Sequence, residues 1–358
     1  MAESLWDQLA ARLVDALGAQ RGELIEVRDE AGNQRLLHAV LLALESIGAE
    51  PLVSILPAQH VERLLATAPP EVLAARSQRH AEWLQQVDRS LALIGAQPDL
   101  RRAASAAASA FTTAYERLEA IRAKRRIPQV IAAIPTIGKA AQLGLSHEDL
   151  ELRMMPALLT DPAALITESE RVLSELGQAQ TLTITSGPGY ELRVQRDERP
   201  WLRDVGRLET AAGATRAMVS NMPAGSLAAS IIAESAEGDL FLPVAGPARA
   251  AHFQFSRGCI TRIEAASGGD QLKALLAQPD GTTRQIGSIG IGLNPRLHQP
   301  LGWPLVDKHI QGAIFISFGA NREQGGNEVF WPVIEFTTTA ASLRAGDRVI
   351  VEGGRLVG

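Results

Sequence analysis

Four short apolar runs in the first 134 residues restrict this chain more than any other feature. They lie at residues 24–27, 51–56, 90–94 and 128–134, and helical stretches separate them. Runs that are apolar on both faces belong in a sheet covered by helices on each side. Strand–helix–strand order makes the neighbouring strands parallel. The helices are legible from spacing. Leu5, Leu9, Leu13 and Leu17 recur at helical intervals, with Ser4 as N-cap and Gly18 as stop. Residues 34–47 and the alanine-rich 100–124 read as two more. Ser146 and Asp149 cap a further helix, and residues 162–176 form another that Gly177 ends.

After Gly177 the texture changes. Residues 181–185 and 191–194 alternate polar and apolar side chains around Gly187-Pro188-Gly189, which predicts a hairpin. From there short strands dominate, with helices expected only at 208–214 and 269–278. The predicted fold is therefore an N-terminal parallel-sheet α/β domain over residues 1–178, followed by a strand-rich α+β domain over 179–358. A chain of 358 residues has room for two such domains.

Charge and cysteine content exclude several functions. The net charge is −5, and the densest basic run, 122–126, closes a helix, where cations complement the macrodipole. Nothing here predicts a nucleic-acid partner. The single cysteine, Cys259, rules out a disulfide within the chain and fits a reducing compartment. The first residues are acidic and amphipathic, unlike a signal peptide, and no apolar run is long enough to span a membrane. A cytoplasmic protein without a membrane partner is expected.

Motif searches remove more. Gly287, Gly290 and Gly292 read Gly-x-x-Gly-x-Gly, the dinucleotide fingerprint in reverse, with no helix after it. There is no phosphate-binding loop and no Gly-x-Ser-x-Gly elbow. Cys259 reads as a buried structural thiol, with nearby Arg257 leaving a reactive one as the alternative. The seven histidines include no pair at metal-ligand spacing. His38, His60, His80 and His147 are expected on solvated helix faces, and His252, His298 and His309 on the surface of the second domain.

Three segments carry a resemblance. Asn221-Met-Pro-Ala-Gly-Ser226 resembles the Asn-x-Pro-x-Gly-Glu of the thermophilic aminopeptidase T family. Ile286-Gly-Ser-Ile-Gly-Ile-Gly-Leu-Asn-Pro295 resembles its Gly-Glu-x-Gly-x-Gly-x-Asn-Pro. Gly312-Ala-Ile-Phe-Ile-Ser-Phe-Gly-Ala-Asn-Arg-Glu-Gln-Gly-Gly326 resembles its Gly-x-x-His-x-Ala-x-Gly stretch, after which the family has a His-x-Asp pair. The resemblance covers most of the chain. It implies a two-metal peptidase centre, and homodimers.

Carried over residue by residue, the two family glutamates fall on Ser226 and Ser288. The first histidine falls on Phe315, and the His-x-Asp pair falls on Val333 and Glu335. Only Glu335 retains a carboxylate. In the sister group of 2,5-dihydroxypyridine dioxygenases, which hold one iron, the implied ligands fall on Ser288, Val333 and Glu335. Neither set retains its ligands, so no metal and no other cofactor is expected.

The resemblance then implies a degenerate site in an inter-domain cleft. One reading is a metal-independent, hydrolase-like enzyme acting on a small polar or aromatic molecule, such as an amino-acid derivative or heterocycle. Its catalytic residues would be Glu335, Ser288 and Ser226. Phe315, Asn321, Arg322, Val333 and Arg207 would bind substrate, with Asp204 beside Arg207. The alternatives are a non-catalytic binding or scaffold protein, and a residual aminopeptidase with ligands relocated to His252, His298 or His309.

Overall fold

The computed structural model describes residues 4–208, 219–277, 284–319 and 334–357. Its contacts divide the chain into two units. One is Met1–Leu159 with Gly206–Pro223, and the other is Thr160–Val205 with Ala224–Gly358.

In the first unit the chain runs α1 (Leu5–Leu17), β1 (Leu24–Asp29), α2 (Gln34–Ser46), β2 (Glu50–Ile55), α3 (Ala58–Thr67), α4 (Pro70–Trp83) and β3 (Arg89–Ile94). It continues through α5 (Ser105–Arg125), β4 (Gln129–Ala133), α6 (Ile137–Leu143) and α7 (His147–Leu158). The predicted caps form: Ser4 and Asp7 make a reciprocal capping box, and Gly18 ends α1 in the left-handed conformation. The four apolar runs are the strands of one parallel sheet, in the order β2-β1-β3-β4, with a later strand, β8 (Val219–Met222), beside β4.

The layer between this sheet and α4–α5 contains buried charge. Arg122 donates from Nη2 to Glu26 Oε1 at 2.5 Å and from Nε to Oε2 at 2.9 Å. Ser90 Oγ donates to the same carboxylate at 2.7 Å, and His80 Nε2 lies 2.7 Å from it. Arg28 and Arg122 share Glu119 at 2.6 and 2.9 Å. Burial alone would push the Glu26 carboxyl up. The His80 and Arg122 hydrogen bonds outweigh it and hold the group well below the usual carboxylate range. Two expectations are corrected here. Arg122 is a core ion-pair partner rather than a dipole-completing surface charge, and His80 is not simply solvated.

In the second unit the chain runs α8 (Pro162–Leu176), β5 (Thr181–Gly187), β6 (Tyr190–Gln195), β7 (Leu202–Asp204), β9 (Ser226–Ser230), β10 (Glu237–Ala245), β11 (Ala248–Ser256) and β12 (Cys259–Glu264). Next come α9 (Gly269–Leu275), β13 (Ile286–Gly292), α10 (Pro304–Asp307), β14 (Ile314–Phe318), β15 (Ile334–Thr338), β16 (Ser342–Ala345), β17 (Arg348–Glu352) and β18 (Arg355–Leu356). Two antiparallel sheets result, ordered β12-β11-β10-β6-β5-β16-β17-β18 and β15-β14-β13-β9-β7. Their apolar faces share one core, in which Phe318 contacts Phe253, Phe255 and Phe336 at ring-centroid distances of 6.0, 6.2 and 5.7 Å.

The expected border at 178/179 falls inside the second unit. Val172 and Leu176 of α8 are buried in the core of that unit, so the helix belongs with the strands that follow it. Cys259 begins β12 but is only half-buried, with Gln285 Nε2 at 3.7 Å from its sulfur. No described helix is long and apolar enough to cross a membrane.

Candidate functional site

The sheet β15-β14-β13-β9-β7 has two unlike faces, and strand alternation explains both. Leu227, Ile289, Ile291, Ile314, Ile316, Phe318, Ile334 and Phe336 point into the core. The residues between them point the other way. Ser288 of β13 stands opposite Ser230 on β9 and Ser317 on β14, and Ser317 stands opposite Glu335 on β15. A polar row thus crosses four strands: Ser230, Ser288, Ser317, Glu335. The next row on this face is Ala228, Gly290, Phe315 and Thr337, and beyond it Gly292 pairs with Ser226, which pairs with Asp204.

A bulge creates the row. Ile286 pairs with Phe318 and Ser288 with the adjacent Ser317, so Gly287 is an extra residue in β13. In a regular strand residues 286 and 288, two apart, would share a face. With the bulge, Ile286 stays in the core while Ser288 is aimed at the polar side.

Each end of the row holds an ion pair. Ser317 Oγ donates to Glu335 Oε2 at 3.1 Å, and Lys308 Nζ lies 4.0 Å from the same oxygen. The Lys308 and Glu335 side chains are 18% and 15% exposed, so their charges are only partly screened by water. At the other end Arg199 pairs with Asp197 and reaches Ser230 Oγ at 3.5 Å. In the middle, Ser288 Oγ is fully buried and has no hydrogen-bond partner. Thr337 Oγ1 in the next row also has none.

Two glycines set the surface over this row. A Cβ at Gly290 would meet Phe315 Cζ at 2.0 Å and the Leu227 carbonyl oxygen at 2.5 Å, so the Phe315 ring lies on bare backbone. Gly290→Ala is expected to destabilise the second unit by about 1–3 kcal/mol through overpacking. Adding Phe315→Leu should recover only part of that loss, because the Leu227 carbonyl remains. Urea unfolding of the two variants measures both effects.

A Cβ at Gly292 would meet the carbonyl oxygens of Ile310 and Lys308 at 2.0 and 2.7 Å, so the turn after α10 rests directly on the face. That turn is pinned by the buried Asp307, whose carboxylate accepts from the backbone N–H groups of Leu301, Gly302 and Trp303 at 2.8, 2.8 and 3.0 Å. Lys308 therefore starts over β13 and ends beside Glu335 on β15. Its neighbour His309 is fully buried with no well-formed hydrogen bond at either ring nitrogen. Burial holds its imidazole well below the usual range and the Lys308 charge adds to this, while the Gly225 backbone opposes it. His309 is neutral at neutral pH, and its expected surface position is corrected.

Ser226, Ser288, Phe315 and Glu335, far apart in sequence, all lie on this one face. The serine coupled to Glu335 is Ser317, whereas Ser288 has no base attached to it. Asn321, Arg322 and Val333 lie outside the described residues. Arg207 belongs to the first unit, where its guanidinium pairs with Asp15 at 3.2 Å in an exposed ion pair, and Asp204 belongs to the second unit. Of the residues that sequence reasoning missed, Ser317 was accessible as the position two beyond Phe315 in a strand. Lys308 carried no sequence signal, because the turn that delivers it depends on a contact with Gly292.

The donor set does not fit a divalent pair. The implied ligand positions carry two hydroxyls, a phenyl ring, a valine side chain and one carboxylate, and that carboxylate already faces an ammonium. Structural and catalytic transition-metal sites need several thiolate, imidazole or carboxylate donors at about 2.0–2.3 Å. Among the described residues no three His, Cys, Asp or Glu side chains are grouped to hold a metal. The histidines offered as relocated ligands are dispersed: His252 pairs with Asp239 at 2.6 Å on β11, His298 is exposed, and His309 is enclosed.

Comparison with known proteins agrees with this fold. The model of the family described as thermophilic metalloprotease (M29) matches residues 4–299. The structure of wild-type AmpT from Thermus thermophilus superposes with a TM-score of 0.79 at 19% identity, covering 99% of each chain. That of 2,5-dihydroxypyridine dioxygenase from Pseudomonas putida KT2440 superposes with a TM-score of 0.63 at 16% identity, covering 100% of this chain and 98% of the other. No curated protein sequence matches.

Proposed function

This chain belongs to the thermophilic metalloprotease family, and from that premise we propose that it acts on a small polar or aromatic molecule without a bound divalent metal. The observation that carries this reading is the row Ser288–Ser317–Glu335 with Lys308, standing where the family's ligands are implied. A hydroxyl and an ammonium beside a partly buried carboxylate make a proton-transfer group, not a metal ligand set. In this reading Glu335 moves the proton and Ser317 orients its carboxylate. Ser288 and Ser226 offer hydroxyls to the bound molecule, and Phe315 supplies an apolar wall.

Metal analysis of protein purified without chelator tests the proposal. The expected content is far below one metal ion per chain, with no leucyl-p-nitroanilide hydrolysis when cobalt is added. Stoichiometric zinc, cobalt, manganese or iron, or cobalt-dependent hydrolysis, overturns it. Turnover of any substrate that survives Glu335→Gln would remove Glu335 from the mechanism. A molecule that binds to the face without being turned over would make this a binding protein.

A further inference from the structure

We propose that the first unit carries a second small-molecule site, at the carboxyl ends of its parallel strands, and that its ligand is a small free amino acid held by both of its charges. The site shares no residue with the polar row of the second unit. A cavity of about 440 Å³ opens there, within the size range of small-molecule sites, roughly 300–1,000 Å³. Its walls come from three connections: Glu62 on α3, which follows β2; Gln97, Asp99, Arg101 and Arg102 in the segment after β3; and Gln142 on α6, which follows β4. In the order β2-β1-β3-β4 the crossover from β1 leads one way along the sheet and that from β3 leads the other. The strand ends beside such a reversal are where open parallel sheets leave room for ligands.

The walls are fixed to one another. Gln142 Nε2 donates to the Gln97 carbonyl at 2.7 Å and the Gln97 N–H donates to Gln142 Oε1 at 3.2 Å, which ties α6 to the loop after β3. The Asp99 N–H donates to Glu62 Oε1 at 3.1 Å, which ties α3 to the same loop. Gly95 seats that loop, since a Cβ there would meet Ala31 Cα at 2.9 Å. Charge then selects the ligand. Arg101 donates from Nε and Nη2 to Asp99 at 2.9 and 3.2 Å, and Arg102 Nε lies 3.3 Å from the same carboxylate. Two guanidiniums thus share one carboxylate, and their side chains remain 91% and 80% exposed, with N–H groups open to an anion. On the α3 wall, Glu62 makes no ion pair among the described residues. One wall therefore has an excess of cation and another an uncompensated carboxylate. A molecule with a carboxylate and an ammonium a few bonds apart complements both at once, whereas a singly charged one leaves a wall unmatched. Pro98 is the one apolar residue in the lining, so a large apolar side chain on the ligand gains little.

The probes are alanine, N-acetylalanine, which lacks the ammonium, and alaninamide, which lacks the carboxylate. Each is titrated into the full chain and followed by the shifts of protein amide NMR signals. Alanine is expected to bind about three- to fivefold more tightly than either derivative, the scale of one exposed charge pair. Glu62→Gln should bring alanine and N-acetylalanine together. Arg101→Gln combined with Arg102→Gln should bring alanine and alaninamide together, and Glu335→Gln should change neither comparison. Should a variant fail to fold, the three-compound comparison stands on the wild type, where added NaCl should weaken alanine. Equal binding of the three compounds, or an alanine preference that survives both the Glu62 and the arginine variants, overturns the assignment. Loss of alanine binding in Glu335→Gln overturns it as well, by placing the amino acid at the polar row. Absence of alanine binding to the wild type removes the site.

Discussion

Glu26→Gln is expected to cost the first unit about 3–5 kcal/mol, the scale of breaking a buried ion pair from one side. The carboxylate is enclosed and receives two bonds from Arg122 and one from Ser90, with His80 at hydrogen-bond distance. The amide has the same shape but cannot accept at both ends, and it leaves the Arg122 charge buried with only Glu119. Arg122→Met should cost a similar amount. The double variant Glu26→Leu with Arg122→Met should cost less than either single change, because no buried charge is left alone. Urea unfolding followed by circular dichroism measures all three. A loss below about 1 kcal/mol for Glu26→Gln would mean that the network does not restrain the fold.

The same carboxylate sets an acid limit. Its folded-state value is depressed below the ordinary 4.5. Its contribution is therefore fully present above the unfolded value and is lost as the pH falls from there toward the folded value. Wild-type stability should decline below about pH 4.5, and the Glu26→Gln protein should lose this part of the pH dependence.

The second large effect is expected from Asp307→Ala, which should destabilise the second unit by about 3 kcal/mol. The side chain accepts from three consecutive N–H groups, those of Leu301, Gly302 and Trp303, and alanine removes all three bonds from a turn in which Trp303 is buried. This substitution also releases the segment that carries Lys308. Asp307→Asn retains one acceptor oxygen and should fall between wild type and Asp307→Ala in urea unfolding. A loss below about 1 kcal/mol for Asp307→Ala would mean that these three bonds do not hold the turn.

Much of the fold was legible in the chain because it follows from local periodicity. The four apolar runs became parallel strands, Ser4 and Gly18 bounded α1, and the Gly187-Pro188-Gly189 turn joined β5 to β6. Residues 57–89, where His60 and His80 were expected on helix faces but no element could be bounded, hold α3 and α4, each preceded by a proline N-cap. The unit border also could not be placed, because β8 returns to the first sheet from a distant part of the chain, and parallel pairing leaves no local trace.

For the site, sequence by itself determined which side chains stand at the implied ligand positions: Ser226, Ser288, Phe315, Val333 and Glu335. That they are poor metal donors follows from their chemistry and needs no coordinates. Only the tertiary structure decided what replaces the donors. Cross-strand register placed Ser317 between Ser288 and Glu335, the bulge at Gly287 put Ile286 and Ser288 on opposite faces, and the bare backbone of Gly292 admitted the turn that delivers Lys308. Each is a contact between segments far apart in the chain. Register, bulge and close approach are set by the packing of both partners together, so neither segment's residues could announce them alone.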